Sequence, residues 1–529
     1  MMDAEQTTAA NRQIARAAVT VMFAFALSNL IGLARQILIS SAFGTDRALD
    51  AFYAASTFPN LIFNLVAGGA LSSAFIPTFT GLLTKNERND AWKLASSISN
   101  LIVVALGILS LLSALFAPQI IRYILAPDFP PDQQNLAASL LRILLITPAV
   151  FGLSGLLIGI LNSHQRFLLP ALAPSMYWIG MIIGLVFLVP FMGIYGLAWG
   201  TVIGAILHLA IQIPDLLKLP SRIYLPIFGF ESQKVREVGR LMVPRLIGVS
   251  VVQLNFVVNV IIASGLPVGS LSAIYFAWQV MTMPQVVIAQ AIAIAALPTF
   301  SMQAAQANMH EMRASLAATL RGVLFLSLPA SLGLILLRQP LITLLFQRRS
   351  FDAHSTDLVA WALLWYAAGL VGHNVVEILS RAFYALHDTK TPVLVGVGAM
   401  SLNVIFSFAF SALFTRIGWL PHGGLALANS SATALEMTAL FVLMRRRLKG
   451  LEGGNIWQGF AQAALGSVLM SLVVIFWSQL RGSVWILAIG GVALGGSFYA
   501  LTLWVMKVPE AAGLMNWITR RIKPLINIQ

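Results

Sequence analysis

The chain contains no cysteine. That excludes disulfides, a thiol nucleophile and any thiolate metal site, while leaving the redox compartment open. Charge is scarce as well: 10% of the 529 residues are charged and 58% are hydrophobic, against roughly a quarter charged in an average soluble domain. A soluble protein of this length needs a polar coat over several domains, and the residues to build it are missing. Also missing are a glycine-rich phosphate loop ending in Lys-Ser or Lys-Thr, a His-Glu-x-x-His helix and a Gly-x-Ser-x-Gly elbow. ATP-driven transport, zinc hydrolysis and serine hydrolysis therefore go unsignalled. The net charge of +14 is spread thinly between apolar runs and never gathers into the basic domain that nucleic acid requires.

What is present is hydrophobic sequence in span-length runs, near 15–40, 50–82, 94–117, 136–162, 168–191, 195–217, 238–264, 270–300, 314–346, 357–384, 391–415, 424–445, 457–479 and 484–506. A bilayer core about 30 Å thick takes roughly 20 apolar residues per helix, and barrel strands would alternate where these runs do not. The expected fold class is all-α, a polytopic membrane protein of about fourteen transmembrane helices. The first dozen residues, MMDAEQTTAANR, are polar and carry acids. They are unlike the short basic start of a cleavable signal, so the first span is expected to remain. Pro59 with Gly68 and Gly69, Pro284 and Pro329 interrupt long runs and predict bent helices around a cavity.

Lys and Arg in short loops are retained on the cytoplasmic side. Alternate loops carry Lys85, Arg88 and Lys93, then Lys218, Arg222, Lys234, Arg236 and Arg240, then Arg445, Arg446 and Arg447. The opposite loops hold fewer, such as Arg47, Arg122 and Arg338. The bias of about three to one puts both termini in the cytoplasm. An internal repeat is also readable. Ala48-Leu49-Asp50-Ala51-Phe52-Tyr53 recurs as Ser270-Leu271-Ser272-Ala273-Ile274-Tyr275, each followed by Pro-Thr-Phe, at Pro77 and at Pro298. Two pseudo-symmetric six-helix halves, 1–230 and 231–450, are expected, with a C-terminal helix pair and tail at 451–529.

A charge near the bilayer centre costs at least about 2.5 kcal/mol on insertion scales, so each ionisable residue inside a span is a functional candidate. Arg35 lies on the first helix and Asp50 opens the second. A guanidinium there suits a bidentate grip on phosphate; the structural alternative is that Arg35 snorkels or pairs with Asp50. His373, Glu377 and Arg381 follow at steps of four and share one helix face. Acid before base at that spacing suits an intrahelical ion pair, and a proton or ion relay is the functional alternative. Arg245 and Glu436 are expected buried with partners or near an interface. His208 is expected to be a satisfied polar residue and Arg142 to snorkel.

Several stretches resemble the MurJ/MviN family of lipid II flippases, within the larger group of multidrug and oligosaccharidyl-lipid/polysaccharide exporters. They are Gly32-Leu33-Ala34-Arg35 with Phe43-Gly44, Asp50-Ala51-Phe52 with Pro59-Asn60-Leu61, and Gly69 through Pro77 (GALSSAFIP). Further on come Leu161-Asn162, Arg166-Phe167, Pro170 through Pro174 (PALAP), Leu297-Pro298, Phe383-Tyr384 and Asp388 through Pro392 (DTKTP). The resemblance implies fourteen helices and a cationic cavity lined by the first, second, seventh and eighth, which in relatives holds the diphosphate sugar head of lipid II. A groove by the last two helices takes the polyprenyl tail there.

The departures fall in that cavity. Relatives usually carry an Arg where Asn29 stands, basic residues at Phe63 and Asn64, an acid at Gly68, an Asp-Arg pair at Trp278-Gln279 and a Glu at Thr282. Arg35 and Asp50 survive. The resemblance then implies that other cations such as Arg245 or Arg381, or the donors Asn29, Asn64 and Gln279, complete the site. The function expected is an alternating-access flippase for a polyprenyl-diphosphate-linked sugar, with lipid II as the leading cargo and another lipid-linked glycan as the alternative. A cation-coupled small-molecule antiporter and a non-transporting scaffold in a cell-wall complex are further alternatives. No cofactor is expected; a proton, sodium or the membrane potential is the candidate energy source. Expected partners are the lipid-linked sugar, membrane lipids and cell-wall synthesis proteins, in a bacterial inner membrane.

Overall fold

The computed structural model describes residues 24, 26–66, 70–220, 222–480 and 482–508, the side chains of 66, 70–73, 243–245, 247–249 and 251–252 excepted. Every regular element among them is helical. The longer ones, in chain order, are α1 (Ala26–Phe43), α2 (Arg47–Val66), α3 (Ala70–Thr84), α4 (Arg88–Leu115), α5 (Pro131–Ser163), α6 (Leu168–Met192), α7 (Ile194–Leu217) and α8 (Gln233–Ser264). Then come α9 (Ser270–Ala305), α10 (Met309–Phe346), α11 (Ala353–Ala368), α12 (Leu370–Ala385), α13 (Lys390–Arg416), α14 (His422–Arg447), α15 (Gly453–Ser478) and α16 (Ile486–Val505). Large side chains such as Phe191, Leu115, Phe476 and Val505 stand exposed along them, as a surface meant for lipid allows.

Among the described residues eleven helices are long and apolar enough to span a bilayer, or twelve if α11 and α12, bent by 44°, form one span. The expected fourteen is therefore not reached on that criterion. The other two expected spans fall on α2 with α3 and on α8, of which Ala74–Thr84 and Gln253–Ser264 are shorter apolar helices. Residues 67–69 and side chains within 70–73 and 243–252, which belong to these two expected spans, lie outside the described residues. The expected cleft-forming bend near Gly68-Gly69 lies at 67–69, outside the described residues. The 44° bend falls at Gly369, where an added Cβ would meet the Ser430 side chain.

The chain divides into two compact units, Met1–Ser272 with Arg348–Phe351, and Ala273–Gln347 with Asp352–Gln529. In the first, α6 and α7 pack through glycine. Gly196, Gly200 and Gly204 recur every fourth residue, opposite Gly180 and Gly184. A Cβ on Gly180 would fall on the Gly204 backbone, and one on Gly184 on the Gly200 backbone. Without a hydrophobic drive between helices in lipid, such close backbone approach is what holds a pair together. The Phe43-Gly44 motif closes a turn in the same unit. Gly44 has φ +61° and its Cα passes so near the Ser350 carbonyl that a side chain would collide, so only glycine fits. In the second unit α13 and α14 form a hairpin, α12 packs on α14, and α10 carries α15. Tyr499 of α16 donates its hydroxyl to the Phe325 carbonyl at 2.8 Å, tying the last helix to α10.

Candidate functional site

Arg35 is a half-buried charge on α1, in the first unit. Its guanidinium lies 4.2 Å over the Trp178 ring of α6. It donates to Gln36 Oε1 at 2.8 Å and approaches Met181 Sδ at 3.8 Å. Among the described residues no carboxylate pairs with it, and its Nε has no partner. A guanidinium is planar and weakly hydrated enough to stack on an indole, which a lysine does less well. Around it runs an aromatic wall. Trp178 packs on Tyr177 at 4.6 Å, Tyr177 on Phe151 at 5.2 Å, and Phe151 on Phe63 at 4.7 Å. Gln36 passes the connection to α2 by donating to the Tyr53 hydroxyl at 3.3 Å.

Asp50 does not join it. The expected Arg35–Asp50 partnership is absent because all three donors on Asp50 come from elsewhere. Gly269 N–H donates at 2.7 Å, Ser272 N–H at 2.8 Å and Ser272 Oγ–H at 2.5 Å. These groups sit at the start of α9, where free N–H groups favour a carboxylate. Asp50 is thus a cap supplied from α2, and Ser272 is the residue that matches it in the internal repeat.

The remaining expected site residues are scattered. Asn29 is exposed on α1. Asn64 is half-buried and donates to Gln253 Oε1 of α8 at 3.2 Å. The Arg245 side chain lies outside the described residues. In the second unit Gln279 is half-buried on α9, its carbonyl accepting from Thr282 Oγ1 at 2.9 Å.

The polar stripe of α12 separates into two parts. Arg381 pairs with Glu377 at 2.7 Å within the helix. His373 instead shares a 3.0 Å hydrogen bond with Asn429 of α14, lies 3.4 Å from Thr433 Oγ1, and packs edge-on against Trp278 at 5.5 Å. Glu436, half-buried on α14, faces Gly396 of α13.

His208 is a satisfied polar residue, as expected: its Nδ1 is 2.7 Å from Ser154 Oγ. The triad it forms was not anticipated. Gln212 Nε2 donates to Ser154 Oγ at 2.5 Å and to the His208 carbonyl at 2.9 Å. The available signal was three polar residues set in long apolar runs of α5 and α7. Arg142 donates its Nε to the Ala114 carbonyl at 3.2 Å, turning back to backbone at a helix end.

The sequence profile described as Lipid II flippase MurJ matches residues 39–490. The lipid II flippase MurJ of Burkholderia cenocepacia is 32% identical over 477 residues, 88% of this chain and 90% of that protein. A probable lipid II flippase MurJ of Rhizobium tropici is 29% identical over 476 residues, 88% of each. Among solved structures, lipid II flippase MurJ in an inward closed conformation superposes with a TM-score of 0.80 at 24% identity, covering 92% of this chain and 98% of that one. An inward-facing multidrug resistance MATE transporter of the MOP superfamily gives a TM-score of 0.62 at 16% identity, over 80% of this chain and 96% of that one.

Proposed function

The chain belongs to the lipid II flippase MurJ family, and from that membership we propose that it moves lipid II from the inner to the outer leaflet by alternating access. It is a transporter and not an enzyme, a multi-pass protein of the bacterial inner membrane whose substrate is a lipid-linked sugar. The observation that carries the reading is the length of the match, which runs from the end of α1 into α16 without leaving out either unit.

Arg35 is the phosphate-binding residue of this reading. Its charge is set among neutral partners, so an incoming diphosphate finds it unspent, and Asn29, Asn64, Gln279 and Arg245 are the donors assigned to complete the grip. The membrane potential is the proposed driving force, since moving one charge through 100 mV is worth about 2.3 kcal/mol. On α12 we assign proton coupling to His373, held by neutral groups, with the Glu377–Arg381 pair beside it. Both termini are placed in the cytoplasm, and cell-wall synthesis proteins are the assigned protein partners. Because the chain has no cysteine, single cysteines at Lys85 and Lys449 give an unambiguous labelling test: both should resist an impermeant maleimide in intact cells.

The decisive experiment is complementation of a strain depleted of its own lipid II flippase. Wild type should restore growth and prevent lipid II accumulation, and Arg35→Ala should not. A second reading, a flippase for another lipid-linked glycan, draws on particular contacts. Phe63 packs its ring on Phe151, and Trp278 packs on Tyr366 at 5.3 Å and on His373, so aromatic surface stands where the family resemblance implies charge. Failure to complement, with surface polysaccharide lost on deleting the gene, would select it.

A further inference from the structure

Between α3 and α8, both in the first unit, lies a cleft of about 230 Å³. One water needs about 10–15 Å³ of such room, so the cleft admits something much larger. Its charged lining is balanced: Lys85 and Lys234 against Glu87 and Glu237. Lys234 and Glu237 already pair along α8 at 3.4 Å. Lys85 and Glu87 form no ion pair among the described residues, and Glu87 precedes α4 without using its carboxylate as a cap. Asn86 between them has φ +58°, a left-handed turn that asparagine tolerates, and both neighbours face the cleft. Pro77 and the exposed Leu241 give the lining an apolar edge.

A simple anion is a poor occupant, because the two carboxylates offset what the two lysines offer. A molecule bearing a phosphate and an ammonium a few atoms apart meets both open charges. Arg88, Arg236 and Arg240 stand beside the lining residues in sequence, and basic residues so gathered put this end of α3 and α8 at the headgroup level of the cytoplasmic leaflet in the orientation assigned above.

We propose that this cleft binds the headgroup of a glycerophospholipid carrying a primary amine, with phosphate on Lys85 and Lys234, ammonium on Glu87 and Glu237, and the acyl chains leaving past Leu241. The site is independent of which cargo the chain flips.

The test is native mass spectrometry of the full-length chain with phosphatidylethanolamine, phosphatidylglycerol or phosphatidylcholine of matched acyl chains. Phosphatidylethanolamine should be retained about fivefold better than the other two, the scale of one exposed charge contact. Gly81→Leu should abolish that preference. A Cβ there meets nothing within 4 Å, so the side chain fills the cleft without disturbing the helices. Glu87→Gln, at an exposed residue, should erase the preference while Lys85→Gln weakens all three lipids. Equal retention of the three lipids by wild type, or a preference that survives Gly81→Leu, overturns the proposal. Displacement of the bound lipid by soluble phosphoethanolamine at equal concentration overturns the role of the acyl chains. A labelling result that reverses the orientation would leave this binding comparison intact, so the two failures are distinguishable.

Discussion

Arg35 and Arg381 are both guanidinium groups on apolar helices, and the protein treats them in opposite ways. Arg381 is neutralised from its own helix by Glu377, one turn earlier, so α12 can enter the bilayer carrying no net charge from this pair. Arg35 receives an indole face, an amide oxygen and a thioether, which orient it and leave its charge standing. Asp50 occupies the middle ground: a buried carboxylate satisfied by three N–H and O–H donors, none of them charged. The comparison teaches that a charge serves structure where its partner is built in, and is free for a ligand where only dipoles hold it.

The largest expected effect separates the two arginines by function. Arg35→Met keeps the length of the side chain and its packing on Trp178. Removing an uncompensated charge should leave the amount of folded protein unchanged or raised. Flipping, measured as lipid II reaching the outer leaflet, should fall at least about tenfold, the loss of one charge-assisted hydrogen bond. Arg35→Met with full flipping would remove Arg35 from the substrate's path.

Asp50→Ala comes next and acts on stability. It strands two backbone N–H groups and a hydroxyl at the start of α9, and the expected loss is about 3 kcal/mol. Thermal unfolding in detergent checks it. Asp50→Asn retains an acceptor and should lose less, and equal losses for the two would show that the carboxylate is not acting as a cap.

For the pair on α12, Glu377→Gln should destabilise by about 2 kcal/mol, because it leaves Arg381 half-buried beside a neutral group. The double variant Glu377→Gln with Arg381→Gln should recover most of that, since neither charge is then stranded. Flipping per folded molecule should stay near wild type in the double variant. A large loss of flipping there, with normal stability, would move the pair from structure to coupling.

How much of this was readable in sequence follows the range of each interaction. The spans and the Glu377–Arg381 pair are local, and the sequence displays them. The repeat was readable at Asp50 and Ser272, but not that those matched residues bond to each other, because 222 residues separate them. Trp178 under Arg35 and His208 beside Ser154 are likewise distant partners. Residue type marked the polar member of each pair as costly in lipid without showing what would satisfy it. Two of the family motifs gain a physical reason only from the structure: Gly44 in its left-handed turn, and Asp388 in the loop before α13.

Asp388 supplies the smallest expected effect and the clearest dependence on pH. It accepts from Thr391 N–H at 3.0 Å and from Thr391 Oγ–H at 2.8 Å. Those hydrogen bonds, with a smaller contribution from Arg447, hold its carboxyl below the usual range. A depressed folded-state pKa means that the unfolded chain binds the proton first, so this stabilisation is full above the ordinary carboxylate pKa of about 3.9 and fades as pH falls through the folded value. Asp388→Ala should cost about 1 kcal/mol at neutral pH, as loss of a helix cap does. The gap in unfolding midpoint between wild type and variant should close on acidification toward about pH 3. A gap that stays constant would mean that side-chain volume, not the carboxylate's charge, holds this turn. Asp388 would then no longer belong with Glu377 and Asp50 among the acids whose partners are built in.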